Sequence, residues 1–331
     1  MFEALLVESK KGAMIKDWNE IKQYRFETLL LGNGFSIGIS DRFKYESLLD
    51  QIVLFDIPMY PMARDLFRED KVNTHNFEEI LRVIYHASLV NFYNQDAIKQ
   101  LYFNVQKSLI DAVNQSHVAY SDVPIEAVAD ELKKYGSIFT TNYDLILYWS
   151  LMGAFSFRGF CDYFWSYGCE FDLSNTTIWD SKRPIYYLHG AVHLKTNPDG
   201  VVYKVTASED RTLSDIISSK NMGNTPLFIS EGKSEIKLRR IRENYYLGFC
   251  YDKLLRNNKN MVVYGHGLDK EYDEHILSAL KKAPMEKLAF SVFSGLGAEQ
   301  KEAFASNIRV YFSSTDKELH FFESDTHPLS M

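Results

Sequence analysis

Cysteine is scarce in this 331-residue chain: Cys161, Cys169 and Cys250 are the whole supply, and no two form a Cys-x-x-Cys pair. Neither a disulfide framework nor a zinc ribbon is indicated, and a reduced, cytoplasmic setting is expected. Long apolar runs are missing as well. None reaches the roughly 18 residues that a membrane span needs, so no membrane segment is expected. The opening Met-Phe-Glu-Ala-Leu-Leu-Val-Glu-Ser-Lys-Lys carries charges after its apolar residues and offers no small-residue cleavage site, unlike a signal peptide. Positive charge is not in excess either. Lys and Arg number 37 against 44 Asp and Glu, a net charge of −7, so nucleic acid is not the expected primary ligand.

Aromatic residues are plentiful instead, 21 Tyr and 23 Phe, enough to furnish a large core. A chain of this length predicts one large α/β domain with an insertion, or two domains. Residues 1–23 read as an N-terminal extension before a first strand at about 24–31. Helical periodicity runs over 45–55, and nothing from 67 to 132 reads as a strand. Asn76 caps a helix with Glu78 and Glu79 in its first turn, and Leu101, Val105, Leu109 and Val113 mark another. Residues 45–135 therefore read as a helical insertion, with 24–44 and 136–325 as the core domain. Its strands are expected at 137–140, 184–188, 226–229, 260–264, 288–293 and 308–312. An edge strand at 319–322 and a small hairpin strand at 201–206 complete the set. Helices are expected over 144–152, capped by Asp144, and over 233–255, 271–281 and 298–305. Residues 153–182, rich in aromatics, Gly, Asp and Asn, suggest a flap. Alternating strands and helices predict an α/β, Rossmann-like, doubly wound and mostly parallel sheet with a helical insertion after the first strand.

One stretch organises the rest: Glu27-Thr-Leu-Leu-Leu-Gly32-Asn33-Gly34-Phe35-Ser36-Ile37-Gly38. An apolar strand stops at a glycine-rich turn, where backbone N–H groups can approach a phosphate with no Cβ in the way. Three later stretches end strands in the same manner: Thr140-Thr141-Asn142-Tyr143-Asp144, Leu188-His189-Gly190, and Tyr264-Gly265-His266-Gly267-Leu268. Ligands of doubly wound sheets bind at the carboxyl ends of the strands. The glycine turn puts its third glycine one place late for a dinucleotide fingerprint, and Asp50 falls in a helix, so ordinary hydride transfer is not favoured. Alone, Asn142 reads as a turn or helix-start residue, Asp144 as an N-cap, and His189 as a core histidine with one backbone partner. His189 and His193 stand four apart, but Gly190 and the strand context spoil metal-pair geometry, and no metal is expected.

Together the four loops resemble the sirtuin-like (SIR2-like) superfamily of NAD-consuming proteins. Its Gly-Ala-Gly-x-Ser loop is matched by Gly32-Asn33-Gly34-Phe35-Ser36, and its Gly-Ile-Pro-Asp-Phe-Arg is echoed by Gly38-Ile39-Ser40-Asp41-Arg42-Phe43. Its Thr-Gln-Asn-Ile-Asp corresponds to Thr140 through Asp144, its catalytic His-Gly to His189-Gly190, and its late Gly-Thr-Ser-Leu to Gly265 through Leu268. The likeness covers about residues 24–275. The missing zinc ribbon, Gly267 in place of a serine, and the helical insertion separate the chain from sirtuin deacylases. It looks more like bacterial SIR2-like proteins, some of them NAD-cleaving effectors of anti-phage defence. One such group shares Gly-Asn-Gly-Phe-Ser, Phe43-x-Tyr45-x-Ser47-Leu48 and Ser230-Glu231-Gly232-Lys233.

The resemblance implies an NAD glycohydrolase that cleaves the nicotinamide–ribose bond, with water as the acceptor and nicotinamide and ADP-ribose as products. By that likeness Asn142 would hold a ribose hydroxyl and a water near C1′, and Asp144 would fix the loop or contact the nicotinamide side. His189 would be the general base, its pKa near neutrality suiting the task. Gly32, Gly34 and Ser36 would bind the diphosphate within a loop that includes Asn33 and Phe35, and Thr140 and Thr141 would flank Asn142. Asp41, Arg42 and Phe43 would line the nicotinamide end. Gly265, Gly267 and Leu268 would shape the adenosine side, with His266 reaching the adenosine ribose. A homo-oligomer or a regulatory partner protein would hold the activity in check. The alternatives are a non-catalytic NAD or ADP-ribose sensor, an NAD-dependent ADP-ribosyltransferase or deacylase, and a purely structural interaction protein.

Overall fold

The computed structural model of the chain describes residues 15–44, 47–179, 181–206, 213–218, 222–229 and 232–331. Among these, the strands in chain order are β1 (Thr28–Leu31), β2 (Ser137–Thr140), β3 (Phe160–Cys161), β4 (Arg183–Tyr187), β5 (Gly190–Thr196), β6 (Val202–Lys204), β7 (Thr225–Phe228), β8 (Met261–Tyr264), β9 (Lys287–Val292) and β10 (Glu318–Glu323). β1 is buried at every position because it has a strand on each side and cover on each face, which is what a continuous Thr-Leu-Leu-Leu run favours. Seven strands form one sheet in the order β10-β9-β8-β1-β2-β4-β3, with every pairing parallel. This is the expected α/β, Rossmann-like arrangement. The winding reverses at β1, with β2 and β4 on one flank and β8, β9 and β10 on the other. Doubly wound sheets bind ligands at such a reversal.

A second, antiparallel sheet of order β6-β5-β7 leaves the main one just after His189. The strand expected at 226–229 belongs here rather than to the parallel sheet. Gly190 makes the junction feasible: its φ is +74°, and a Cβ there would fall on the Leu227 carbonyl. Between β1 and β2 the chain is helical, over Leu48–Leu54, Pro61–Asp65, Phe77–Val90, Gln95–Ser116 and Ile125–Leu132. Leu101, Val105, Leu109 and Val113 all face the core, as their spacing predicts. Asn76 stands at the N-cap position of Phe77–Val90, but its side chain makes no capping bond.

Other expectations need correction. Residues 308–312 are not a strand; they end the helix Ala298–Phe312, where Ala305, Ile308 and Phe312 bury one face and Val310 is exposed. β-branched and aromatic residues favour strands, but helical burial spacing overrides them here. The single helix expected over 233–255 is two, Ser234–Glu243 and Tyr245–Leu255. Asn244 breaks it with extended backbone, then accepts the Tyr246 and Leu247 N–H groups at 3.0 and 3.1 Å to start the second helix. The stretch 153–182 is no free flap, since β3 and the buried Phe164 tie it to the sheet edge. Tyr45, Ser230, Glu231 and most of the N-terminal extension lie outside the described residues. Among the described residues, no helix is long and apolar enough to cross a membrane.

His327 closes the core near the end of the chain, its ring 4.6 Å from Trp18 and 4.9 Å from Tyr264 between centroids. Its Nδ1 accepts the Leu329 N–H at 3.1 Å, so Nε2 carries the proton and donates to the Tyr135 hydroxyl at 3.0 Å. Burial pushes its pKa down to about 3. The unfolded chain would titrate near 6.5, so stability from the neutral ring is full above about pH 6.5 and lost as pH falls toward about 3. Urea unfolding should therefore show stability declining in that window by about 1.4 kcal/mol per pH unit from this residue. His327→Gln should be less stable at neutral pH but decline less steeply; an equal slope would remove His327 from the account.

Candidate active site

The four loops emerge side by side from the carboxyl ends of β8, β1, β2 and β4, and they share one cavity of about 810 Å³. That is within the range of roughly 300–1,000 Å³ typical of ligand pockets. Of the residues expected at the site, Asn33, Gly34, Asp41, Phe43, Thr141, Asn142, Asp144, His189, Gly265, His266 and Gly267 line it. Gly32, Phe35, Ser36, Arg42, Thr140 and Leu268 are not part of that lining.

The glycine-rich stretch is not a loose turn. Residues Asn33–Ile39 form a helix directly after β1. The Gly32 N–H donates to the Tyr264 carbonyl at 2.9 Å, and the Gly34 N–H donates to the Gly265 carbonyl at 2.6 Å. Those N–H groups are therefore spent on the neighbouring loop and are not free to cradle a phosphate. The glycines serve close packing: a Cβ on Gly34 would stand 2.8 Å from Gly265 Cα, and Gly265 itself has φ +68°. Two of the sequence motifs thus exist partly to touch each other.

Ser36 is fully buried and joins two loops. Its hydroxyl donates to Asp144 Oδ2 at 2.5 Å and accepts from Asn142 Nδ2 at 2.8 Å. Because the single hydroxyl proton goes to the carboxylate, the amide must present its NH₂ to Ser36, which fixes the Asn142 orientation. Asn142 Oδ1 is left buried with no partner among the described residues. Thr140 Oγ1 accepts the Asn142 N–H at 3.0 Å, and Asp144 Oδ1 accepts the Ile146 N–H at 2.9 Å. Asp144 therefore does anchor a helix start, although the helix Ile146–Phe155 begins one place later than a cap at 144 implies. His117, from the helical stretch, supports the same loop: Nε2 accepts the Leu145 N–H at 3.0 Å, while Nδ1–H donates to the Val118 carbonyl at 2.9 Å. Burial lowers its pKa, so the ring stays neutral. Arg42 donates to the His117 carbonyl at 3.3 Å and does not line the cavity.

His189 and Asn142 do not sit on surface-facing loops; both are buried in the cavity wall. His189 Nε2 lies 2.8 Å from His275 Nε2, the rings stacked at 25° with centroids 5.1 Å apart. Desolvation, and then His275 and Lys237, push the His189 pKa well below the ordinary histidine value, not near neutrality. His266 Nδ1 accepts the Leu268 N–H at 3.2 Å, so Nε2 carries the proton, and that buried atom also lacks a partner among the described residues. Burial lowers the His266 pKa too, against the opposing pull of Asp273. His193 is elsewhere, against the Tyr148 and Tyr187 rings at 4.6 and 5.2 Å.

The chain matches, over residues 29–329, a family described as a domain of unknown function, DUF4917. The chain belongs to the DUF4917 family. A search of curated proteins returns no match. Among solved structures, two mutant Sir2 homologues in complex with ADP-ribose are similar to it at 11% and 10% identity, each with a TM-score of 0.36 and covering 90% of this chain and 99% of that one. A Sir2 homologue–NAD complex is similar at 12% identity and a TM-score of 0.37, covering 92% and 99%.

Several cavity residues of this DUF4917 chain escaped sequence reasoning. Lys237 and Asp273, 3.6 Å apart, come from two helices and share no local spacing with any motif. Ser234 and His275, behind His189, are 41 residues apart in sequence. The only available hint was a buried His189 with one ring nitrogen in need of a partner.

Proposed function

We propose that this DUF4917 protein hydrolyses NAD at the nicotinamide–ribose bond. The observation that carries the reading is a pair of buried, unpartnered polar atoms of opposite kind on residues of one cavity: the acceptor Asn142 Oδ1 and the donor His266 Nε2–H. Buried polar atoms are costly without partners, and ribose hydroxyls, which both give and take a hydrogen, suit the two. In the reaction the C1′–N bond breaks and nicotinamide leaves with the electron pair. Water oxygen then bonds to C1′ and releases a proton. The transition state carries positive charge at the ribose, which the Asp144 carboxylate in the cavity wall would stabilise electrostatically. Asn142 and His189 would fix the nicotinamide ribose, and His266 the adenosine ribose. With the Gly32 and Gly34 N–H groups engaged, Lys44 and Lys237 are the cations on the cavity wall that would meet the diphosphate.

An unrestrained enzyme of this kind would drain its own cell of NAD, which fits an anti-phage defence effector held inactive until triggered. The helical insertion at 45–135, an oligomer or a partner protein would supply that control. The test is incubation of purified protein with NAD, following nicotinamide and ADP-ribose by chromatography. His189→Ala is expected to lower turnover by about 10²-fold or more, the scale of losing one preorganised hydrogen-bond donor. Tight NAD binding without turnover would favour a sensor or an enzyme still awaiting its activator, an ADP-ribosylated product would replace the hydrolase with a transferase, and absence of both binding and turnover would end the NAD reading.

A further inference from the structure

The polar chain behind His189 has a direction. Ser234, first residue of the helix Ser234–Glu243, is buried, and its Oγ accepts the His275 backbone N–H at 2.7 Å. The same Oγ lies 2.8 Å from His275 Nδ1. A hydroxyl has one proton to give, and of these two neighbours only Nδ1 can take it. Leaving a buried O–H unpaired is costly, so the Ser234 proton points at Nδ1. His275 then carries its own proton on Nε2, facing His189 Nε2 at 2.8 Å. Two imidazole nitrogens at that distance share one proton, and here His275 supplies it. His189 Nε2 is therefore bare, and the proton of a neutral His189 resides on Nδ1. Both rings are neutral, since burial lowers His189 well below its ordinary value and takes His275 to about 3, with the Lys237 charge adding to each and Asp273 opposing at His275.

We infer that Ser234 and His275 are positioning residues that present His189 to the cavity as an Nδ1–H donor rather than as a base. The inference rests on the NAD-cleaving reading only for what that donor meets. A ribose hydroxyl accepts from His189 Nδ1–H while giving its own proton to Asn142 Oδ1, so the sugar is gripped by a donor and an acceptor together. The general-base role expected from the family resemblance is thereby replaced: an Nδ1 that already bears a proton cannot take another from neutral substrate. The attacking water then loses its proton to bulk solvent rather than to His189, which a reaction passing through a ribose cation tolerates, because that cation captures water readily.

Nitrogen NMR of histidine-labelled protein reads the tautomer with no need for turnover. His189, assigned by the signals lost in His189→Gln, is expected to show a protonated Nδ1 and a bare Nε2. The reverse pattern overturns the inference. Ser234→Ala removes the donor to His275 Nδ1 and is expected to move His189 toward the other tautomer, with kcat/KM falling and KM rising as the ribose loses its donor. Ser234→Thr keeps the hydroxyl and is expected to restore both. An unchanged His189 tautomer in folded Ser234→Ala also overturns the inference, and where that variant does not fold the wild-type spectrum decides alone. If NAD proves not to be cleaved, the tautomer measurement stands, so failure of the function and failure of the relay are told apart.

Discussion

Asn142→Ala is expected to lower NAD turnover by about 10²-fold or more, the scale of losing one preorganised contact to the reacting region. The fold should survive. The loop holds its course through backbone bonds that the substitution spares, from the Thr141 N–H to the Leu31 carbonyl and from the Leu188 N–H to the Thr140 carbonyl. What is lost besides the cavity acceptor is the Asn142 NH₂ that Ser36 receives, a net hydrogen bond of about 1 kcal/mol. Asn142→Asp is the sharper companion. It sets a second carboxylate against a Ser36 hydroxyl whose one proton already serves Asp144 at 2.5 Å, so two like charges compete for one donor. The aspartate variant should therefore be less stable than the alanine variant, although it is closer in shape to the parent. Turnover by chromatography and stability by urea unfolding check both statements. Undiminished turnover in Asn142→Ala would remove this residue from the chemistry.

The backbone of the fold was legible because buried parallel strands write themselves as short apolar runs. Thr28–Leu31, Ser137–Thr140 and Met261–Tyr264 are buried at all or nearly all positions, and each is followed by a loop of small and polar residues. That pattern also places all four motif loops at strand ends. Less was legible where short-range signals conflict. The Ile308-Arg-Val-Tyr-Phe312 segment carries strand-forming residues, yet it belongs to a helix because Ala305, Ile308 and Phe312 share a face. The small antiparallel sheet could not be separated from the large one, since β7 has a strand-like sequence in either sheet. At the site, the sequence shows where the glycines are but not what each one admits. A glycine that admits a phosphate and one that admits another backbone look alike in sequence, and only the Gly34–Gly265 contact separates them. Ser234 and His275 lay beyond reach because no local spacing joins residues on two different helices.

Gly265→Ala tests that second purpose directly. The residue has φ +68°, where a Cβ costs about 1–2 kcal/mol from its own backbone. The same Cβ would fall on Phe35 N and stand 2.8 Å from Gly34 C, both backbone atoms at the start of the helix Asn33–Ile39. Backbone cannot swing aside as a flexible side chain does, so about 1–3 kcal/mol of overpacking is added. A loss of about 2–5 kcal/mol is therefore expected, read as a lower urea midpoint with unchanged slope. Gly38→Ala makes the contrast. It lies in that same helix, a Cβ there meets nothing within 4 Å, and its φ is not positive, so a gain of roughly 0.5–1 kcal/mol is expected. Each variant adds one methyl at a residue lining the same cavity, so opposite signs would tie Gly265 to loop packing. A Gly265→Ala protein as stable as the parent would mean that the two loops can part at little cost, and the Gly34 N–H would then become available to an anion after all.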